Sequence, residues 1–425
     1  MRKMKDSGVE WIGEIPEKWN ICRVKDAATV FRGGSPRPID AYLTNDAEGY
    51  NWIKIGDTQK ENRYINSVAQ RIKPSGLSKT RFVTEGTLLL TNSMSFGEAY
   101  ILNTNGCIHD GWLSFSNYQG VTKEFLYYFF VSPLSELQFQ QQVAGGVVQN
   151  LNIDKVKGTY ILLPPIDEQK IIVDYLDEKC SKIDAIIARQ EEIIEKLKEY
   201  KLSIITEVVT KGVNSEVEMK ESGIDICKEI PINWKTSQIR HLFQLRDEKN
   251  YKPLEEVQLL SLYTDLGVFP HGEQEERGNK AVKAEGYKVV YDGDIVVNII
   301  LAWMGAIGRS AYNGVTSPAY DIYKPLEGVC SEYYHYMFRT KVFSGECYKY
   351  GRGIMAMRWR TYSSEFKSIK VPVPPYEEQK TIAKYLDKKC SMLDKTIGDR
   401  RSAIEKLQAY KKSLIYEVVT GKKEV

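Results

Sequence analysis

The chain is written twice. Residues 164–210 return as residues 374–420 at an offset of 210 without a gap, and about 26 of the 47 positions are identical. A shorter echo precedes each copy. Met4-Lys5-Asp6-Ser7-Gly8 returns as Met219-Lys220-Glu221-Ser222-Gly223, and Glu14-Ile15-Pro16 with Trp19 returns as Glu229-Ile230-Pro231 with Trp234. Self-similarity of this kind restricts the fold to two like halves. Between the repeated pieces lie two inserts, about 20–160 and 235–370, which share little sequence. One frame therefore does the same job twice, and its inserts do related but different jobs.

Each long copy opens with Pro-Pro and an acidic pair, Asp167-Glu168 or Glu377-Glu378. Proline tolerates the first helical turn, and carboxylates there complement the positive end of the helix dipole. The spacing predicts a long helix behind it. Leu176, Cys180, Ile183, Ile187, Gln190, Ile194, Leu197, Lys201, Ile204 and Val208 alternate steps of four and three. Leu386, Cys390, Leu393, Ile397, Arg400, Ile404, Leu407, Lys411, Leu414 and Val418 repeat the pattern. A 3.5-residue period marks a coiled-coil seam. The obvious partner of each helix is the other, which predicts an antiparallel pair and a pseudo-two-fold chain. A rod of that kind can hold two domains apart, or it can simply stabilise them.

The inserts read as mainly β with short helices. Residues 50–57 and 86–90 resemble strands, 286–297 a hairpin through Asp-Gly, and the aromatic runs 125–130 and 333–338 short core-packing helices. Net charge is only +3, so any affinity for nucleic acid has to come from local patches. Two such patches exist. Lys60, Arg63, Arg71, Lys73, Lys79 and Arg81 face Glu61 alone, and Arg339, Lys341, Lys349, Arg352, Arg358, Arg360, Lys367 and Lys370 face Glu346 and Glu365. Beside them are loops with side chains able to reach base edges or backbone. Their candidates are Arg32, Ser35, Arg37, Asn92, Ser93, Ser95, His109, Gln149 and Asn150 in the first insert. In the second they are Asn298, Trp303, Arg352, Arg358 and Arg360.

Catalytic patterns are missing from the sequence. It has no P-loop and no strand-borne GxGxxG. Val373-Pro374-Pro375-Tyr376 lacks the Asn or Asp that an amino-methyltransferase motif requires, and His109-Asp110 has no nucleophile at a defined spacing. Seven scattered cysteines without a CxxC and four histidines give no metal framework. The sequence therefore predicts no catalytic residue and no metal site. With no long apolar run and no signal segment, the expected location is the cytoplasm, with no membrane contact.

These features together resemble the specificity subunit of type I restriction–modification systems. The resemblance rests on the two Pro-Pro-x-x-Glu-Gln helices ending in Glu-Val-Val-Thr, on the leads 13–19 and 229–234, and on Phe31-Arg32-Gly33-Gly34-Ser35-Pro36. The second insert has Phe243-Gln244-Leu245-Arg246-Asp247 where that loop would stand.

The resemblance implies an α+β architecture. Two β-rich target recognition domains with small helices, 1–163 and 213–373, are joined and spaced by two long repeated helices, 164–212 and 374–425, paired as an antiparallel coiled coil. The seam would be Leu176, Ile183, Ile187, Ile194 and Leu197 with Leu386, Leu393, Ile397, Ile404 and Leu407. Each domain would read half of a bipartite, asymmetric double-stranded DNA site, and the helices would set the gap. Two methyltransferase subunits would dock on the helices, and restriction/translocase subunits would join through them. S-adenosylmethionine, ATP and Mg2+ would belong to those partners, with no cofactor in this chain. Three alternatives remain at this point: a specificity subunit for a fused nuclease–methyltransferase, a coiled-coil scaffold without DNA function, and a self-sufficient methyltransferase.

Overall fold

The computed structural model describes residues 2–59, 62–93, 96–143, 150–264, 266–272, 283–353 and 359–425. They form two compact units, Met1–Gln190 with Arg401–Val425, and Glu191–Arg400. The long helices Ile166–Lys211 and Tyr376–Val419 each contribute one part to each unit.

The first unit has two five-stranded sheets. One runs in the order Thr29–Arg32, Trp112–Ser116, Leu88–Thr91, Ala99–Leu102, Tyr64–Ile65. Its central strand carries a continuous apolar run because both faces are covered. Leu88 and Leu90 enter the core shared with the helices, and Leu89 enters the core between the sheets. The other sheet runs Leu43–Thr44, Arg71–Ile72, Tyr50–Ile53, Gly106–Ile108, Arg81–Val83.

The second unit repeats four strands of that first order as Phe243–Arg246, Tyr320–Pro325, Ile295–Asn298, Ile307–Arg309. Again Ile295 and Val297 face the helical core while Val296 faces the opposite one. Inserts with little shared sequence thus build the same sheet, because burial pattern rather than residue identity specifies it.

The frame closes on itself in the same way in each unit. Asn20–Arg23 pairs with Tyr160–Leu163, which leads into the first long helix. Lys235–Gln238 pairs with Lys370–Val373, which leads into the second. Trp19 is fully buried in a core with Val418 and Val419, and Trp234 in one with Val208 and Val209. Each lead therefore packs on the Val-Val of the other copy's helix. The aromatic runs are helices, Lys123–Phe130 and Ser331–Phe338, with Phe125, Phe129, Tyr333 and Phe338 in the cores.

Within each unit the helix segments run antiparallel. In the first, Lys411 bonds Asp184 at 2.6 Å and Lys423 lies over the Tyr175 ring. In the second, Lys201 bonds Asp394 at 2.6 Å, and Glu378 borders Gly212. Seam residues Leu176, Ile183, Ile187, Ile194, Leu386 and Ile397 are buried; Leu197, Leu393, Ile404 and Leu407 are half-buried. A single partner helix leaves part of a leucine wet, whereas a third layer closes it. Among the described residues no helix is long and apolar enough to cross a membrane.

Two expected strands differ. Lys288–Val290 and Ile295–Asn298 do not form a hairpin. The former pairs with Gly314–Thr316 and the latter with Ile307–Arg309 and Tyr320–Pro325. The Asp-Gly turn is diverted by Asp294, whose buried carboxylate accepts the Tyr291 N–H and both arms of Arg246. Likewise the strand from Tyr50 stops at Ile53, because Asp57 accepts the Lys54 N–H at 2.8 Å and closes a single helical turn.

Candidate nucleic-acid interface

Five of the sequence candidates in the first unit meet at one residue, Asp110, through its carboxylate or its backbone carbonyl. Strand Thr29–Arg32 runs into Gly33-Gly34, whose N–H groups donate to the carbonyls of Trp112 and Ile108. A β-carbon on Gly33 would collide with the His109 carbonyl oxygen, so the close approach requires glycine. That approach delivers the Ser35 hydroxyl to Asp110 Oδ1 at 2.7 Å, with Arg37 3.7 Å from Oδ2. The Asp110 carbonyl accepts Arg32 Nε at 3.0 Å and Asn92 Nδ2 at 3.1 Å.

His109 completes the cluster. Its Nδ1 accepts the Gly111 N–H at 2.8 Å, so in the neutral ring the proton sits on Nε2, which lies 3.1 Å from Asp110 Oδ1. Burial lowers the His109 pKa; Asp110 opposes this, and Lys54, Arg32 and Arg37 add to it. For Asp110, burial works upward, but the Ser35 hydrogen bond, His109 and the two arginines win and hold the carboxyl below its usual range. The site is thus an anionic hub inside a cationic rim. Arg32, Arg37 and Lys79 are exposed, Arg37 at 84% of its side chain. Arg81 stacks on Phe31 and donates to the Arg32 carbonyl. A cationic rim of this kind has the chemistry that phosphate oxygens require.

The structure divides the candidates by role. Ser35, Asn92 and His109 use their polar atoms to hold loops together, while Arg37 projects outward. The Asn92 carbonyl also accepts the Leu151 N–H. Asn150 offers its carbonyl to Lys155 Nζ at 3.2 Å. Ser93 is half-buried in the loop after Asn92. Ser95, Gln149 and Arg358 lie outside the described residues.

In the second unit Asn298, Trp303, Arg352 and Arg360 gather around the corresponding strand exit. Asn298 Oδ1 accepts the Ile300 N–H, and Trp303 Nε1 donates to the Ile300 carbonyl, both at 3.0 Å. The Ile299 carbonyl accepts the Thr361 N–H, repeating the Asn92–Leu151 tie. Arg352 and Arg360 exchange backbone hydrogen bonds, Arg352 pairs with Glu365, and Arg360 is exposed. Trp303 meets Tyr348 edge-on, and Tyr348 stacks on Trp359 at 4.9 Å. The second unit therefore offers an aromatic shelf where the first offers a charged hub.

The basic stretches are less uniform than their sequence suggests. Arg63 leaves its neighbours and stacks among Tyr64, Tyr127 and Tyr128, and Lys349 pairs with Asp225. Sequence reasoning undervalued Asp110, whose only signal was adjacency to His109, and Lys54, which stands alone in the sequence. Among the described residues no group of three potential metal ligands occurs.

A model of the type I restriction modification DNA specificity domain matches residues 16–199 and 231–406. The chain belongs to this family. It is 27% identical to a putative type I restriction enzyme MjaX specificity subunit of Methanocaldococcus jannaschii, over 97% of this chain and 95% of that one. The MjaVIII specificity subunit of the same organism is 23% identical over 96% of this chain and 93% of its own length. Among solved structures, a chain from work on complex assembly and conformational transition of the type I R-M system superposes with a TM-score of 0.71. It is 13% identical, over 96% of this chain and 99% of that one. The HsdS subunit of Thermoanaerobacter tengcongensis gives a TM-score of 0.51 at 14% identity, over 96% and 98%. At those identities the structural likeness establishes the fold, and the family match establishes a type I specificity subunit.

Proposed function

We propose that this specificity subunit reads a bipartite, asymmetric DNA site, one half with each insert. Residues 1–163 and 213–373 serve as the recognition domains, and 164–212 with 374–425 as the spacer. The observation that carries this reading is the matched placement of unlike loops. Both units project a candidate cluster from the exit of the same central strand, but one is built on Asp110 with arginines and the other on stacked aromatics. A shared scaffold with divergent tips is what two different half-sites require. Arg32, Arg37, Lys79 and Arg81 contact phosphates or bases in one half, and Trp303, Arg352 and Arg360 do so in the other.

The exposed faces of the long helices dock two methyltransferase subunits, and restriction subunits join through those. The partners bring S-adenosylmethionine, ATP and Mg2+ and methylate adenine or cut; this chain selects where, in the cytoplasm, and performs no chemistry. Exchanging residues 20–160 for the corresponding insert of another family member tests the reading. One half of the methylated motif changes and the other half and the gap stay. A change in both halves contradicts it.

A further inference from the structure

In each unit one carboxylate on the long helix bonds a tyrosine of the aromatic helix packed against it. In the first unit Asp177 Oδ1 accepts the Tyr128 hydroxyl at 2.5 Å and pairs with Arg63, whose guanidinium lies 4.7 Å over Tyr127 and 5.2 Å over Tyr128. In the second unit Asp387 Oδ1 accepts the Tyr336 hydroxyl at 2.7 Å. Asp387 is Asp177 moved by the repeat offset of 210. Tyr128 and Tyr336 sit on the two corresponding aromatic helices, inside inserts that otherwise share little sequence. Burial raises both phenol pKa values, and the facing carboxylates add to it, so both tyrosines stay protonated donors.

A second fixing point lies at each helix start. Buried Gln169 accepts the Thr122 N–H and donates to the carbonyls of Gly120 and Pro164, all within 2.9 Å. Gln379 accepts the Cys330 N–H and donates to the Pro374 carbonyl. One fixing point makes a pivot; a second, eight residues or about 12 Å further along the helix, sets the angle.

We propose that Asp177 and Asp387 are positioning residues that fix the angle between each recognition domain and its spacer helix, and through it the gap the subunit accepts between half-sites. This rests on the bipartite reading above. Packing alone does not hold the join in the first unit. A cavity of about 710 Å³ opens there, with Arg63, Tyr128 and Asp177 in its wall. Geometry makes the angle matter. A swing of about 10° displaces a point 20 Å from the pivot by about 3.5 Å, close to the ~3.4 Å step of one base pair. The two joins also differ: Arg63 gives Asp177 a second arm, whereas Tyr336 is the only described hydrogen-bond partner of Asp387.

The test uses the assembled methyltransferase complex and a set of DNAs carrying both half-sites at the native gap and at one base pair more or less. Tyr336→Phe keeps the ring and removes the hydroxyl, so folding is preserved and is checked by melting. Its preference for the native gap over its neighbours falls about tenfold, the loss expected for a hydrogen bond to a charged group. Tyr128→Phe loses less, and combining it with Arg63→Met brings it level with Tyr336→Phe. Asp387→Leu, which keeps the side-chain size and removes the acceptor, behaves as Tyr336→Phe, and the half-site sequences stay the same in all variants. Equal slowing at every gap, or an unchanged preference, overturns the positioning role. A wild-type complex without any gap preference overturns instead the bipartite reading beneath it.

Discussion

Asp110 shows how one residue organises a surface of the opposite charge. Three groups that carry or can carry positive charge, Arg32, Arg37 and His109 when protonated, act on it. Without a carboxylate among them the glycine loop and the 109–111 turn would repel one another. Its removal therefore separates two effects that a general loss of structure would not. Asp110→Ala relaxes base preference in the first half-site, because Ser35 and His109 lose their common acceptor. The same change strengthens binding to random DNA, because one negative charge leaves a cationic rim. Competition binding with specific and random duplexes at fixed salt checks both; weaker binding to random DNA would contradict this account.

The cluster itself was only partly legible in the sequence. Arg37 and Arg32 stood out as cations beside glycines, but the turn of Ser35 to the Asp110 carboxylate and of Asn92 to its backbone carbonyl is a tertiary event without periodicity to announce it. Gln169 and Gln379 were visible as a repeated Glu-Gln, which the acidic helix start explained only in part. Their burial depends on segments about fifty residues upstream.

At the scale of elements the repeated helices were the most legible part, since a 3.5-residue period and two matching copies specify both the helix and its partner. Even the polar seam positions follow the repeat. Asp184 with Lys411 and Asp394 with Lys201 are one ion pair written twice, with the helices exchanged. Each pair is partly exposed and adds about 0.5–1 kcal/mol, enough to favour this register over one shifted by a heptad. Asp184→Lys or Lys411→Asp alone lowers the melting temperature, and the double exchange restores most of the loss. A double-mutant cycle on thermal unfolding measures the coupling, and strictly additive losses would show that the pair does not interact. The sheets were less legible. The Asp-Gly at 292–293 has the sequence of a hairpin turn, yet Asp294 and Arg246, far apart in the chain, direct its two strands to different partners. Side-chain bonds over that separation override local turn chemistry.

For the whole molecule, the decisive relation is between what is repeated and what is not. The repeated lead, closing strand pair and helix end build the same junction in each unit. The inserts keep the strand order, the burial pattern of the central strands and the aromatic helix with its aspartate-bonded tyrosine, and differ at the strand exits. The claim that this chain selects the DNA site is tested most directly by the adenine methylome of a host carrying its gene with the neighbouring methyltransferase gene, compared with the same host lacking only this chain. The account predicts one asymmetric motif of two short blocks around a fixed gap, present only when the chain is present. Methylation that is unchanged without it, with the protein shown to be expressed and in complex, would contradict the account.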